Sequence, residues 1–116
     1  MNEKVAEIGE ENCFISEVTI LELIYGVANS DSTKKGQNLR KINGFVAIFQ
    51  NCILLIRPVF EVFAEQKTRL RKLGTPISDF DLLIGCTALF HNFVLSSRNI
   101  KEMMRIEGLA YENWIA

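Results

Sequence analysis

The residues Cys52-Ile53-Leu54-Leu55-Ile56 are apolar at every position. A strand with one wet face alternates polar with apolar residues, so a continuous run predicts a strand covered on both faces, as in a parallel sheet. Two shorter runs, Cys13-Phe14-Ile15 and Phe93-Val94-Leu95, read the same way. Between the runs the spacing becomes helical. Residues 3–9 read as the tail of a helix stopped by Gly9. Ser16 offers an N-cap for a helix from Glu17 to about Asn29, with Ile20, Leu21, Ile24, Val27 and Ala28 as its apolar stripe. The turn Asn29-Ser30-Asp31-Ser32 leads into a second helix ending near Gln50, with Leu39, Ile42, Phe45, Val46 and Phe49 on one face. Pro58 suits the first turn of a helix that reaches Leu73, with Val59, Phe60, Phe63, Leu70 and Leu73 inward and Gly74 at its C′ position. Ser78 and Asp81 fit a capping box for a helix to about His91, ended by Asn92. A short helical turn over 99–105 and an edge strand within 109–114 follow. Strands alternating with helices predict an α/β fold with a mostly parallel sheet and right-handed crossovers. At 116 residues the chain has room for one domain, 1–116.

Composition narrows the function classes. Apolar residues make up 48% and charged residues 23%, an ordinary globular balance. The longest apolar run is far too short for a membrane span, and the acidic start MNEKVAEIGEEN is unlike a secretory signal, which predicts a cytoplasmic protein with no membrane partner. The three cysteines lie more than thirty residues apart and His91 is the single histidine, which argues against a zinc site. Three small buried hydrophobes are the simpler reading of Cys13, Cys52 and Cys86. A net charge of −1 speaks against nucleic-acid binding through a global field, but leaves room for a local basic patch. Gly26, Gly36, Gly44 and Gly108 do not follow strands, so no phosphate-cradling loop supports a nucleotide-binding wound fold.

Three ordered stretches carry a resemblance. Ile15–Gly26, ISEVTILELIYG, matches a pattern ISxxTxxELxxG; Gly74–Gly85, GTPISDFDLLIG, matches GxPIxDxDLLIAA. The third runs from Val94 through Arg98-Asn99-Ile100-Lys101-Glu102 and Arg105-Ile106-Glu107-Gly108-Leu109 to Glu112-Asn113-Trp114, like LVTRNxxDFxRIxGLxxENW. Together they resemble the PIN-domain family, and within it the VapC-like toxins. The resemblance implies a PIN-like three-layer α/β/α fold and a metal-dependent endoribonuclease, the toxin of a VapBC-type toxin–antitoxin pair. It implies Mg²⁺ or Mn²⁺ as cofactor, an RNA substrate, a cognate antitoxin as partner, and a homodimer. Hard divalent cations take oxygen ligands and activate water for phosphodiester hydrolysis. By matched position, Glu22 and Asp81 are catalytic ligands, Asn99 is a weaker ligand or water-binding residue, and Glu102 is a further metal ligand. Arg98 and Lys101 are the expected RNA contacts.

Simpler explanations stand beside these. Glu22 is also readable as a solvated surface glutamate, and Asp81 as a capping residue favoured by the helix dipole. Asp79 at the first helical position reads as structural, Asn99 as an ordinary turn residue, and His91 as a C-terminal cap. Lys67, Arg69, Arg71 and Lys72 crowd a helix end, where cations oppose the dipole. Family members open with a strand ending in Leu-Asp-Thr-Asn, central in their sheet, and no such segment stands before Cys13. The resemblance therefore implies either a coding sequence that starts upstream of Met1 or a PIN-like fold lacking its first, central strand and the aspartate it carries, for which weak or absent catalysis is expected. The alternative function is a non-catalytic PIN-like remnant that dimerises or binds antitoxin.

Overall fold

The computed structural model describes residues 2–49 and 51–114. Residues 2–54 form one compact unit and residues 55–114 another. The first begins with α1 (Asn2–Ile8), a 3-10 turn at Glu10–Asn12 and β1 (Ile15–Ser16). Gly9 sits at φ 99°, outside the range open to other residues, and stops α1 as expected. The strand expected at 13–15 starts later, because the Cys13 N–H is engaged by the Glu10 carbonyl in closing the 3-10 turn. Ser16 then leaves the strand with extended backbone angles, and its Oγ accepts from the Val18 N–H at 3.1 Å. That cap starts α2 (Glu17–Ala28), which packs on α3 (Lys35–Ala47). The expected helix end near Gln50 lies outside the described residues. The Ile48 and Phe49 N–H groups bond three residues back, so the α-helix tightens after Ala47.

β2 is only Ile53–Leu54, parallel to β1 with Ile15 opposite Ile53 and Ser16 opposite Leu54. The predicted five-residue strand buried on both faces is corrected here: Ile53 and Leu55 are exposed, while their neighbours are half-buried. The run stops early because the Ile56 carbonyl accepts from the Val59 N–H in a second 3-10 turn, Arg57–Val59. The apolar stripe on α2 is only partly covered. Ile20, Leu23 and Val27 share one half-buried side, whereas Leu21, Ile24, Tyr25 and Ala28 are exposed at helical spacing.

The second unit contains α4 (Phe60–Leu73), α5 (Asp79–His91), β3 (Val94–Ser96), α6 (Ile100–Met103) and β4 (Ala110–Glu112). β3 and β4 pair in parallel, Leu95 opposite Tyr111. Gly74 and Asn92 close α4 and α5 in the left-handed conformation, as their positions predicted. Phe60 and Leu73, expected inward, are exposed: Val59 takes the buried place at the front of α4, and Leu73 is the last helical residue. The core joins Val59, Leu70, Leu82, Cys86, Ala88, Met103, Ile106 and Leu109. Gly85 is its closest approach, since a Cβ there would run into the Ile106 Cδ1 and press on Met103 and Leu109. Gly85→Ala is therefore expected to cost about 1–3 kcal/mol from overpacking, read as a lower urea midpoint at unchanged slope. A midpoint at or above wild type would show that the contact yields freely.

Candidate functional site

Asp81 stands in the first turn of α5, which the chain enters through Thr75-Pro76-Ile77. The Ser78 Oγ accepts from the Asp81 N–H at 3.3 Å. The reciprocal half of the expected capping box does not form. Asp81 instead turns its Oδ2 toward Asn99, whose Nδ2 donates to it at 3.1 Å. Asn99 is fixed from both sides: its N–H donates to the Ser97 Oγ at 3.0 Å and its carbonyl accepts from the Met103 N–H at 3.1 Å. It is a locked turn residue that orients a carboxylate. Glu102 follows on α6, which packs on α5. Its Oε2 is buried and accepts no hydrogen bond.

A buried carboxylate oxygen without a donor is costly, and a cation is one of the few partners that satisfies it. Asp81, Glu102 and the Asn99 amide oxygen are hard donors of the kind a divalent cation takes. These residues fit such an ion by chemistry. Among the described residues, however, no three acidic, histidine or cysteine side chains gather as a ready cage.

The remaining predicted residues divide clearly. Glu22 is exposed on α2, in the unit 2–54. Arg98 and Lys101 are exposed next to Asn99, and neither enters a hydrogen bond or ion pair among the described residues. Lys67 bridges to the Asp79 Oδ1 at 3.0 Å, which makes Asp79 a tether for the start of α5. Arg69 donates to the Gln66 Oε1 and to the Arg105 carbonyl, and pairs with Glu107. Arg105 donates from Nη1 to the Pro76 carbonyl at 3.1 Å, a contact no spacing argument exposed. The His91 ring stacks on Phe93 with centroids 5.3 Å apart and meets Phe90 edge-on.

Comparison with known proteins adds what geometry alone does not give. Over 100 residues the chain is 38% identical to ribonuclease VapC2 of Rickettsia felis, covering 86% of this chain and 72% of that one. The chain belongs to the VapC family. It is also 30% identical over 101 residues to the tRNA(fMet)-specific endonuclease VapC of Salmonella typhimurium, covering 86% of this chain and 74% of that protein. Its structure superposes on the crystal structure of VapBC2 from Rickettsia felis bound to a promoter DNA fragment with a TM-score of 0.86, at 32% identity. The alignment covers 97% of this chain and 84% of that one. No protein-family model matches the sequence. The fold is thus the PIN-type α/β fold of VapC proteins, with parallel pairing in both two-stranded sheets. No helix among the described residues is long and apolar enough to cross a membrane.

The three cysteines are free thiols. Cys13 and Cys86 are buried, and Cys52, expected to be buried with them, is half-exposed. Burial pushes the Cys86 thiol up to about 12. The Cys13 thiol is raised by burial first, then by Cys52, Glu11 and Glu10. With a pKa of about 12, Cys86 carries a thiolate fraction of roughly 10⁻⁴ at pH 8. An aromatic disulfide reagent at pH 8 is expected to label Cys52 first and Cys86 only as the chain unfolds, as followed by peptide mass mapping. Fast labelling of Cys86 in the folded protein would contradict its burial.

Proposed function

We propose that this VapC-family chain is a metal-dependent endoribonuclease, the toxin of a toxin–antitoxin pair. The reading rests on two observations, the pairing of Asp81 with Asn99 and a Glu102 oxygen on the next helix that is buried and unbonded. Asp81 and Glu102 would hold Mg²⁺ or Mn²⁺; Glu22, within residues 2–54, matches a family ligand position by sequence alone. When bound, the cation supplies charge neutralisation at the scissile phosphate and lowers the pKa of water. The chain's own residues bind and orient. Asn99 fixes the rotamer of Asp81 through its amide N–H. Arg98 and Lys101, exposed and uncommitted to any acid, are suited to phosphate oxygens of a single RNA strand. A second reading, a non-catalytic module that retains its partner, is favoured by the lack of a three-residue cage among the described residues. Asp81→Asn and Glu22→Gln are each expected to lower RNA cleavage about a hundredfold or more, and chelation to abolish it. Cleavage that is indifferent to chelation, or absent from wild type at millimolar Mn²⁺, would favour the second reading.

The partner reading rests on a surface. Leu21, Ile24 and Tyr25 on α2 are 51%, 49% and 68% exposed, with Leu39 of α3 also open. Contiguous apolar exposure of this kind marks a protein interface. The Rickettsia felis and Salmonella typhimurium structures are VapBC complexes, which supports a cognate antitoxin as the occupant here. A homodimer is proposed with it on the family pattern. Tyr25→Asp is expected to weaken antitoxin binding about tenfold or more, measured by interferometry, while leaving the circular dichroism spectrum unchanged. Unaltered affinity would place the antitoxin elsewhere.

A further inference from the structure

The segment 99–107 is tied to the front of α5 at two points. At one end, Asn99 Nδ2 donates to Asp81 Oδ2 at 3.1 Å. At the other, Arg105 Nη1 donates to the Pro76 carbonyl at 3.1 Å. Pro76 lies five residues before Asp81, and Arg105 lies three residues after Glu102. The α5 helix begins only at Asp79, so the Pro76 carbonyl has no place in its hydrogen-bond ladder. Arg105 itself has little freedom. Its N–H bonds the Glu102 carbonyl at 3.0 Å, and its own carbonyl accepts from Arg69 on α4. Gln66 Nε2 secures the Glu107 carbonyl at 3.2 Å, also from α4. Among the described residues, no carboxylate pairs with the Arg105 guanidinium. Its bond to Pro76 is to a neutral carbonyl, which is a poor use of a charge but a good use of a long, planar donor.

We propose that Arg105 is a positioning residue for the divalent-cation site, bracing the segment that carries Asn99 and Glu102 against the loop that delivers Asp81. This rests on the metal-site reading above. An outer residue of this kind sets the separation of ligands without touching the ion, and loss of such support typically weakens metal affinity about tenfold to a hundredfold. The effect separates from folding because the core beneath is built from other residues, Leu82, Cys86 and Met103 among them.

The test is Mn²⁺ titration of the full chain, followed by calorimetry and by loss of the free-ion electron paramagnetic resonance signal. Wild type, Asp81→Asn, Arg105→Met and Arg105→Lys are compared, with thermal midpoints taken in chelator. Arg105→Met is expected to bind Mn²⁺ about tenfold to a hundredfold more weakly, and Arg105→Lys to recover part of the loss because its ammonium still reaches a carbonyl. Wild-type affinity in a folded Arg105→Met, even one with a lowered midpoint, overturns the proposal and leaves Arg105 a structural brace. Should the Met variant not fold, the Lys variant decides: weaker binding supports positioning and unchanged binding overturns it. Loss of binding in Asp81→Asn with wild-type binding in both Arg105 variants sinks the positioning role alone. No binding by wild type, or none lost in Asp81→Asn, sinks the metal site and this proposal with it.

Discussion

Gly85 brings the backbone of α5 close enough for the side chains of Met103, Ile106 and Leu109 to rest against it. That approach joins α5 to the segment that follows the Asp81–Asn99 contact. Because α5 lies so near the 103–109 segment, α6 is drawn along its flank and Asn99 comes within 3.1 Å of Asp81. A methyl group at position 85 would force the Ile106 side chain to move, in a core that has little free space. Core packing and site geometry are therefore one constraint.

The charges follow a division of labour that the net charge of −1 conceals. Lys67, Arg69 and Arg105 are spent on carbonyls and acids of their own unit: the Asp79 carboxylate, the Arg105 carbonyl and the Pro76 carbonyl. The Lys67–Asp79 pair is more than half exposed on both sides, so its role is geometric more than energetic. Arg98 and Lys101 remain uncommitted, and they flank Asn99 in sequence. Two such groups are too few to act as a long-range field.

Much of this was legible in the sequence. Helix starts and stops were set by residues whose roles are local: Ser16, Ser78, Gly74 and Asn92 each cap as their side chains or backbone freedom dictate. The parallel α/β class was readable from the apolar runs. Burial was read less well. Continuous hydrophobicity in 52–56 was taken for burial, whereas Ile53 and Leu55 are exposed in this chain, as are Leu21 and Ile24 of the α2 stripe. Hydrophobic patterning reports what a surface is fit to contact, and it does not say whether the contact lies within the chain. The Asp81–Asn99 pair and the Arg105–Pro76 tie span 18 and 29 residues, and no local rule reaches that far. Matching motifs could nominate Asp81 and Asn99, but not show that one donates to the other.

That hydrogen bond changes the meaning of the acidic residues. A capping aspartate gives one carboxylate oxygen to the backbone N–H of Ser78, and that reciprocal bond is not formed here among the described residues. Here the backbone cap is supplied by the Ser78 hydroxyl, and Asn99 takes only one of the Asp81 oxygens. Glu102 keeps a buried oxygen with no hydrogen bond, at a cost of about 1–3 kcal/mol. A fold under selection for stability alone would have replaced it with an apolar residue or supplied a donor. The fully buried Leu70, Leu82 and Met103 offset that cost from the same core.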